Sequence, residues 1–465
     1  MKASRRDLMG LAAMVPVAAM AGPGAARAKE AQKAVERLMP DGRLPVNRER
    51  AYRMMKAAGV DAIIGATDAN SFYLTNVRSV LSEMGLPRLV IGIMPADPSK
   101  PIVAVMPGID IGRLSGAERD VGREWPEVVT WTAPVDRAVY ESVTKLDADA
   151  MPEAAPSQGW PKSATGALTP IEMAWESLND SLPMASAATP ALGVKKALAD
   201  LGLTRARVAV DDGSLVEDLR RVGLDDLKIV PGDNLFLKIR HVKSAVEIDR
   251  MRTVTRLNDG AARAMIANLR PDMSFEEVQA LFFGEVAKRG GRPEFIVAGM
   301  TSGLRHGRTV PHEPFLVDCC GNFDGYSGDF ARTVVLGAPS QLLMDRSKML
   351  GRLAAEITGI LKPGISYSQI RARGGEMAKK LGMNYSVGVG PHAVGLTHSD
   401  DPRGDGMPIP AREDVVLEPG MVLTVDLPTL EPGWGSMHLE SLILITADGA
   451  EWLDRFDDPL YEVSV

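Results

Sequence analysis

The chain has little cysteine, no basic stripe and no long apolar run. Its 465 residues include two cysteines, the adjacent Cys319 and Cys320. Two neighbours cannot build a disulfide framework, and a bond between them would strain the intervening peptide, so both are expected as thiols. The formal net charge is −7, and no nucleic-acid motif accompanies it. That excludes a nucleic-acid partner on electrostatic grounds and otherwise speaks to solubility. The N-terminal apolar stretch GLAAMVPVAAMAG is too short, and too broken by Pro and Gly, to form a membrane span. With 45% hydrophobic and 24% charged residues, the remainder is globular, and its length predicts two domains.

The N-terminus has the form of an export signal. Ser4-Arg5-Arg6-Asp7-Leu8-Met9 is a twin-arginine pattern, and Ala26-Arg27-Ala28 offers a small-x-small cleavage site before Lys29. The expectation is a signal over 1–28 and a periplasmic protein that crosses the membrane already folded. Residues 29–47 read as a short leader. A helix over 48–58 and the strands DAIIGA and RLVIGIM follow. Residues 131–190, rich in Pro, Ser and Ala with three Trp, read as an ordered loop or lid. VKKALADLGL has helical spacing, and ARVAVDDGS reads as a strand ending in a turn.

The chemistry lies further on. Asp318 and Asp329 sit on either side of a turn in FLVDCCGNFDGYSGDFARTVVL, between two β-type runs that predict a hairpin. Two acids held side by side repel unless a cation lies between them. His392 in GVGPHAVGLTHSDDP, Asp426 in LEPGMVLTVDLP and Glu440 in GSMHLESLILIT each lie in or beside an apolar, β-rich run. Burying an unpaired charge costs on the order of several kcal/mol, so such groups need a partner. Four carboxylates and one imidazole form a hard oxygen and nitrogen set suited to Mn, Fe, Co or Zn, most naturally as a carboxylate-bridged pair. Strand alternation puts Cys320 on the face of Asp318, where it either looks into a metal pocket or packs as a small buried residue.

The second half repeats itself. NLRPDMSFEEVQ (268–279) and ILKPGISYSQIR (360–371) share a Pro-containing turn followed by a Ser that can cap a helix. In the first copy, Ser274 and Glu277 make a capping box. Two related α-β halves are expected. Five of the six histidines (His306, His312, His392, His398, His438) lie after residue 300.

The ordered metal set and this repeat resemble the pita-bread metallopeptidases, which include methionine aminopeptidase, aminopeptidase P, prolidase, the metal-free creatinase and a dimethylsulfoniopropionate lyase. RAYRMMKAAGVDAIIGATDANSFYLTNVRS (50–79) resembles the start of the creatinase/prolidase N-terminal domain. LKIRHVKSAVEIDRMR (237–252) resembles the junction into the catalytic domain, through Lys243, Glu247 and Arg252. The resemblance implies an α/β (α+β) fold: an N-terminal α/β domain over 29–240 and a pita-bread catalytic domain over 241–465. It implies two divalent ions on Asp318, Asp329, His392, Asp426 and Glu440. It also implies a small-molecule or short-peptide substrate and a homodimer. His398 takes the place of a histidine that binds substrate or the developing oxyanion, and one of His306 and His312 that of a further substrate-facing histidine. Asp426, His398 and His438 are the catalytic candidates.

Three departures bear on the reaction. Asp426 stands where the family usually has a proton-shuttling Glu, one methylene longer. His438 stands where its proline peptidases carry Arg, replacing a permanent charge with a titratable one. Cys320 lies beside the first Asp. The main expectation is an Xaa-Pro dipeptidase- or aminopeptidase-like hydrolase. A metal-dependent lyase on the same fold, and a metal-free creatinase-like or binding protein, are the alternatives.

Overall fold

Local signals account for the start of the ordered chain. The Asn47 side chain accepts from the Arg50 amide, opening a helix over Arg48–Ala58 that ends at Gly59 in the left-handed region. The structure, a computed structural model, describes residues 43–110, 126–131, 163–170, 172–173, 176–177, 187–298, 304–403, 414–453 and 459–465. The expected signal over 1–28, most of the 29–47 leader and most of the 131–190 loop lie outside the described residues. Leu44 and Val46, assigned to that leader, are instead buried in a hydrophobic core.

The first half builds one sheet. Its strands are β1 (Ala62–Gly65), β2 (Ile91–Pro95), β3 (Val103–Pro107), β4 (Glu127–Trp131), β5 (Arg207–Val210) and β6 (Lys228–Pro231), in the order β4-β3-β2-β1-β5-β6. β1 and β2 are buried throughout, as their unbroken apolar runs require of a sheet covered on both faces. Asp211, just after β5, accepts from the Ala66 amide at 2.7 Å, the Thr67 hydroxyl at 2.6 Å and the Asn70 side chain at 2.7 Å. This fixes the start of the helix over Asp68–Thr75.

The second half carries the repeat. Its first copy runs from helices Ala245–Ile266 and Phe275–Lys288 into β7 (Arg292–Val297), β8 (Phe315–Phe323), the short β9 (Tyr326–Ser327) and β10 (Phe330–Leu336). Its second runs from helices Gln341–Thr358 and Tyr367–Lys380 into β11 (Gly390–Ala393) and β12 (Val422–Asp426). Beyond these lie β13 (Thr429–Glu431), β14 (Gly435–Met437), β15 (Glu440–Ser441), β16 (Ile443–Ile445), β17 (Ala450–Trp452) and β18 (Leu460–Val463). The strands order as β15-β10-β8-β7 in one sheet and β11-β12-β16-β17 in another.

The two copies match at the backbone. Ser274 and Ser366 each cap a helix through a reciprocal capping box, with Glu277 and Gln369 respectively. Two residues earlier, Asp272 and Gly364 both take positive φ, 66° and 92°. Their amides donate to the Thr309 and Leu417 carbonyls at 2.9 Å each. The shared Pro-x-x-Ser pattern therefore encodes the same turn twice. Only the second copy uses glycine, where a left-handed residue is least strained.

One hydrophobic core runs through both halves, from Phe72, Met94 and Ala209 to Met251, Val317 and Phe330. A buried polar chain crosses the same region. Asn70, which donates to Asp211, accepts from Arg240. Arg240 and Lys243 both close on Asp400, Lys243 at 2.9 Å. Burial alone would raise the Asp400 carboxyl, but the two cations outweigh it and hold it far below the usual range. Glu247 caps its own helix through the Ser244 amide and accepts from the Tyr326 hydroxyl. Arg252, the third junction residue, instead pairs with Glu451 at the surface. Among the described residues, no helix is long and apolar enough to cross a membrane.

Burial pushes the Glu247 carboxyl up to about 7, against the pull of Lys243 and the Ser244 amide. A raised carboxyl pKa means the folded chain holds a proton that the unfolded chain has released. Stability should therefore fall as pH rises from about 4.5 to about 7. Gln keeps the capping box and removes the titration. Glu247→Gln should match the parent at low pH and exceed it by on the order of 2–3 kcal/mol above neutrality, measured by urea unfolding across that range. Parallel pH profiles for the two proteins would contradict this.

Candidate metal centre

Strand register gathers the acids. Ala331 on β10 pairs with Asp318 on β8 and with Glu440 on β15, so Asp318, Ala331 and Glu440 lie in a row across three strands. Asp329 is two residues before Ala331 and shares its face. From the second copy, His392 on β11 pairs with Thr424, and Asp426 ends β12 opposite Gly390. Gly390 has no side chain to stand between Asp426 and the centre.

The side chains converge on His392. Its Nε2 lies 3.4 Å from Asp426 Oδ1, 3.5 Å from Glu440 Oε1 and 3.7 Å from Asp329 Oδ2. His398 Nε2 lies 3.1 Å from Asp329 Oδ2, and its ring meets Phe295 edge-on with centroids 4.8 Å apart. His438 Nε2 lies 3.7 Å from Glu440 Oε2. Three overlapping groups result: Asp329 with His392 and His398; Asp318 with His438 and Glu440; and His392 with Asp426 and Glu440. Each offers ligand atoms within 4.8 Å of one another.

The electrostatics fit a cation. Burial first, then the charge of Asp329, drives the Asp318 carboxyl well above its ordinary range. Burial and the Asp329 and Asp426 charges do the same to Glu440. Asp426 moves the other way: burial opposes its ionisation, but the close approach of Glu440 and His392 outweighs it. The opposed shifts mark two acids sharing a proton where like charges crowd. Burial also disfavours charge on His438, while Asp329 outweighs burial at His398 and raises it. Among the described residues, Asp318 Oδ1, Asp329 Oδ1, Asp426 Oδ1, Glu440 Oε1 and His438 Nε2 are buried without a hydrogen-bond partner. Orphaned acceptors at this density are rare in folded proteins, and a divalent ion satisfies them together. The donor set fits the metals expected from the sequence.

The remaining candidates lie elsewhere. His312 Nδ1 bonds the Ala338 carbonyl, past the end of β10 opposite to Asp329 and roughly 20 Å from it along the strand. His306 is more than half exposed and lies 3.2 Å from Glu313. Neither joins the groups around the carboxylates. Cys319 packs into the apolar core, and Cys320, also buried, lies on the other side of β8. The Cys320 thiol donates to Glu294, which also accepts from Ser327 at 2.8 Å and Asn322 at 2.9 Å. Burial raises both thiols, keeping them protonated. Glu294 and Phe295 were missed from the sequence, because β7 carries no motif that sets it apart from a structural strand.

Two helix-backed sheet halves with acids and imidazoles gathered between them define a pita-bread fold with a metal-type centre. Residues 249–447 match the model of metallopeptidase family M24. An uncharacterised peptidase of Bacillus subtilis is 26% identical over 49% of this chain and 65% of its own length. An Xaa-Pro dipeptidase of Pyrococcus furiosus is 25% identical over 49% of this chain and 67% of its own length. The curated relatives are thus matched over about two thirds of their length. Solved structures share the fold more widely. The dipeptidase of Pyrococcus horikoshii has a TM-score of 0.62 at 16% identity, covering 90% of this chain and 99% of that one. The prolidase of Pyrococcus furiosus has a TM-score of 0.56 at 18% identity, covering 87% and 99%.

Crowded carboxylates destabilise the chain when no cation is bound. With chelator present, Asp318→Asn should melt at a higher temperature than the parent, because it removes one buried acid. Addition of Mn, Co or Zn should then raise its melting temperature less than the parent's. A lower melting temperature for the chelated variant would show that Asp318 is stabilised by something other than a metal.

Proposed function

We propose that this chain is an exported metal-dependent hydrolase of Xaa-Pro dipeptides or similar short peptides, using a pair of divalent ions. The observation that carries this reading is the set of buried, unpartnered acids around His392 in a chain whose residues 249–447 match family M24. The naming of relatives as Xaa-Pro dipeptidases supports the substrate class. Ions held by Asp318, Asp329, His392, Asp426 and Glu440 would supply Lewis acidity, polarising a carbonyl and acidifying a water. The other steps fall to the chain's own groups. His398, about a third exposed and next to Asp329, reaches the open side of the centre and steadies the developing oxyanion. Asp426, partly exposed and held in its charged form, accepts the proton of the attacking water and passes it to the leaving amine. Phe295 packs the His398 ring into place.

The short Asp426 side chain divides hydrolysis from elimination. If it is a shorter proton shuttle, Asp426→Glu restores reach and keeps or raises cleavage of Xaa-Pro dipeptides and tripeptides. If the centre is built for a metal-dependent lyase, the same change creates no peptidase and damages the native reaction. Assays of both proteins after metal loading decide between them, and no cleavage by either would end the peptidase reading.

Export to the periplasm is supported by Arg5-Arg6, the apolar run and Ala26-Arg27-Ala28. Assembly as a homodimer is supported by the family resemblance alone. Mass spectrometry of protein recovered from its native cell should find a mature start near Lys29. Active protein that retains Met1 would contradict export with cleavage.

A further inference from the structure

His438 has no place in the ligand set that the family resemblance implies, and the proposed hydrolysis leaves it without a role. Its surroundings give it one. The side chain is 7% exposed, and Nε2 has no hydrogen-bond partner. That nitrogen points at Glu440, 3.7 Å from Oε2, and one atom each of Asp318, His438 and Glu440 lie within 4.8 Å of one another. Two donors bound at about 2.0–2.2 Å to one ion stand roughly 3.0–4.2 Å apart, so the 3.7 Å between His438 and Glu440 is that of shared coordination. His438 lies in the two-residue link between β14 and β15, two residues before Glu440, and that short link keeps its ring beside the Glu440 carboxylate. Asp318 Oδ1 and Glu440 Oε1, like His438 Nε2, are buried without hydrogen-bond partners. A buried ring nitrogen without a hydrogen-bond partner, next to carboxylate oxygens that also lack one, is unfavourable, and one cation resolves all three groups.

We infer that His438 Nε2 is a metal ligand, coordinating the ion held by Asp318 and Glu440 and adding a sixth side chain to the centre. The inference rests on the reading of these residues as a metal centre, but not on peptide hydrolysis. His398 differs from His438 in each respect: it is about a third exposed, contacts Asp329 at 3.1 Å and stacks on Phe295. With His438 bound, each half of the centre has one imidazole, His392 on one side and His438 on the other. The ion at Asp318 and Glu440 then changes from an all-carboxylate protein ligand set to a mixed nitrogen and oxygen set. That moves its preference from Mn toward Zn, Co or Fe.

The test counts coordinated imidazoles. The full chain carrying His398→Ala, with nitrogen-labelled histidine, is loaded with NMR-active cadmium as a stand-in for zinc. Two imidazole nitrogens should couple to cadmium, from His392 and His438. Adding His438→Gln should remove one coupling and weaken zinc binding on the order of tenfold or more. A single coupled nitrogen in the His398→Ala protein, or two retained after His438→Gln, would overturn the inference. Should His438→Gln fail to fold, the first count still decides, because it leaves position 438 untouched. Two couplings in the His398→Ala protein, together with no peptidase activity in the metal-loaded parent chain, would sink the proposed hydrolysis and leave this ligand standing.

Discussion

Mutual repulsion among buried acids is the constraint on which the rest of this structure turns. Asp318, Asp329, Asp426 and Glu440 come from four different segments and are driven together around His392 by strand register. Like charges at this range in a low-dielectric interior cannot all ionise. The chain responds as chemistry requires, with Asp318 and Glu440 pushed toward their neutral forms and Asp426 kept charged. A divalent cation removes the conflict, so the same residues that weaken the chain without metal favour it with metal. Separation of the two copies of the repeat would remove Asp318 and Asp329 from His392 and Asp426, and with them the reason for the centre.

The surroundings hold that cluster rigid. His398 sits on the turn that leads to Asp400, and Asp400 is clamped by Arg240 and Lys243 from the segment joining the two halves. The clamp continues through Asn70 to Asp211 beside the first sheet. A buried ion network of this kind adds little net stability, but it is costly to break and so fixes geometry. The first half thereby bears on the centre at a distance. Its described residues supply none of the grouped ligands, yet they orient the loop that presents a histidine to the open side.

Much of the fold was legible because its signals are local. Ser274 with Glu277 and Ser366 with Gln369 cap helices in ways that a few adjacent residues specify, and the Pro-x-x-Ser turn repeats them. The acids were legible because carboxylates in apolar β-rich runs need a partner. Long-range pairing was not. Nothing near Asp400 in the chain names Arg240 or Lys243, about 160 residues away. His312 shows the opposite trap: it is six residues before Asp318 in sequence, yet it bonds the Ala338 carbonyl beyond the far end of β10. His438 was read as a titratable substitute for arginine, since only coordinates reveal a buried ring nitrogen without a hydrogen-bond partner beside Glu440. Leu44 and Val46 were read as leader because a short apolar pair has no periodicity to mark it as core.

The central claim is that the buried acids form a metal centre, and direct metal analysis tests it. Chelator-treated chain, dialysed against limiting Mn, Co or Zn near neutral pH, should take up about two equivalents, and its melting temperature should rise with metal concentration as mass action requires. A chain that takes up no divalent metal, and whose melting temperature is indifferent to it, would contradict the account.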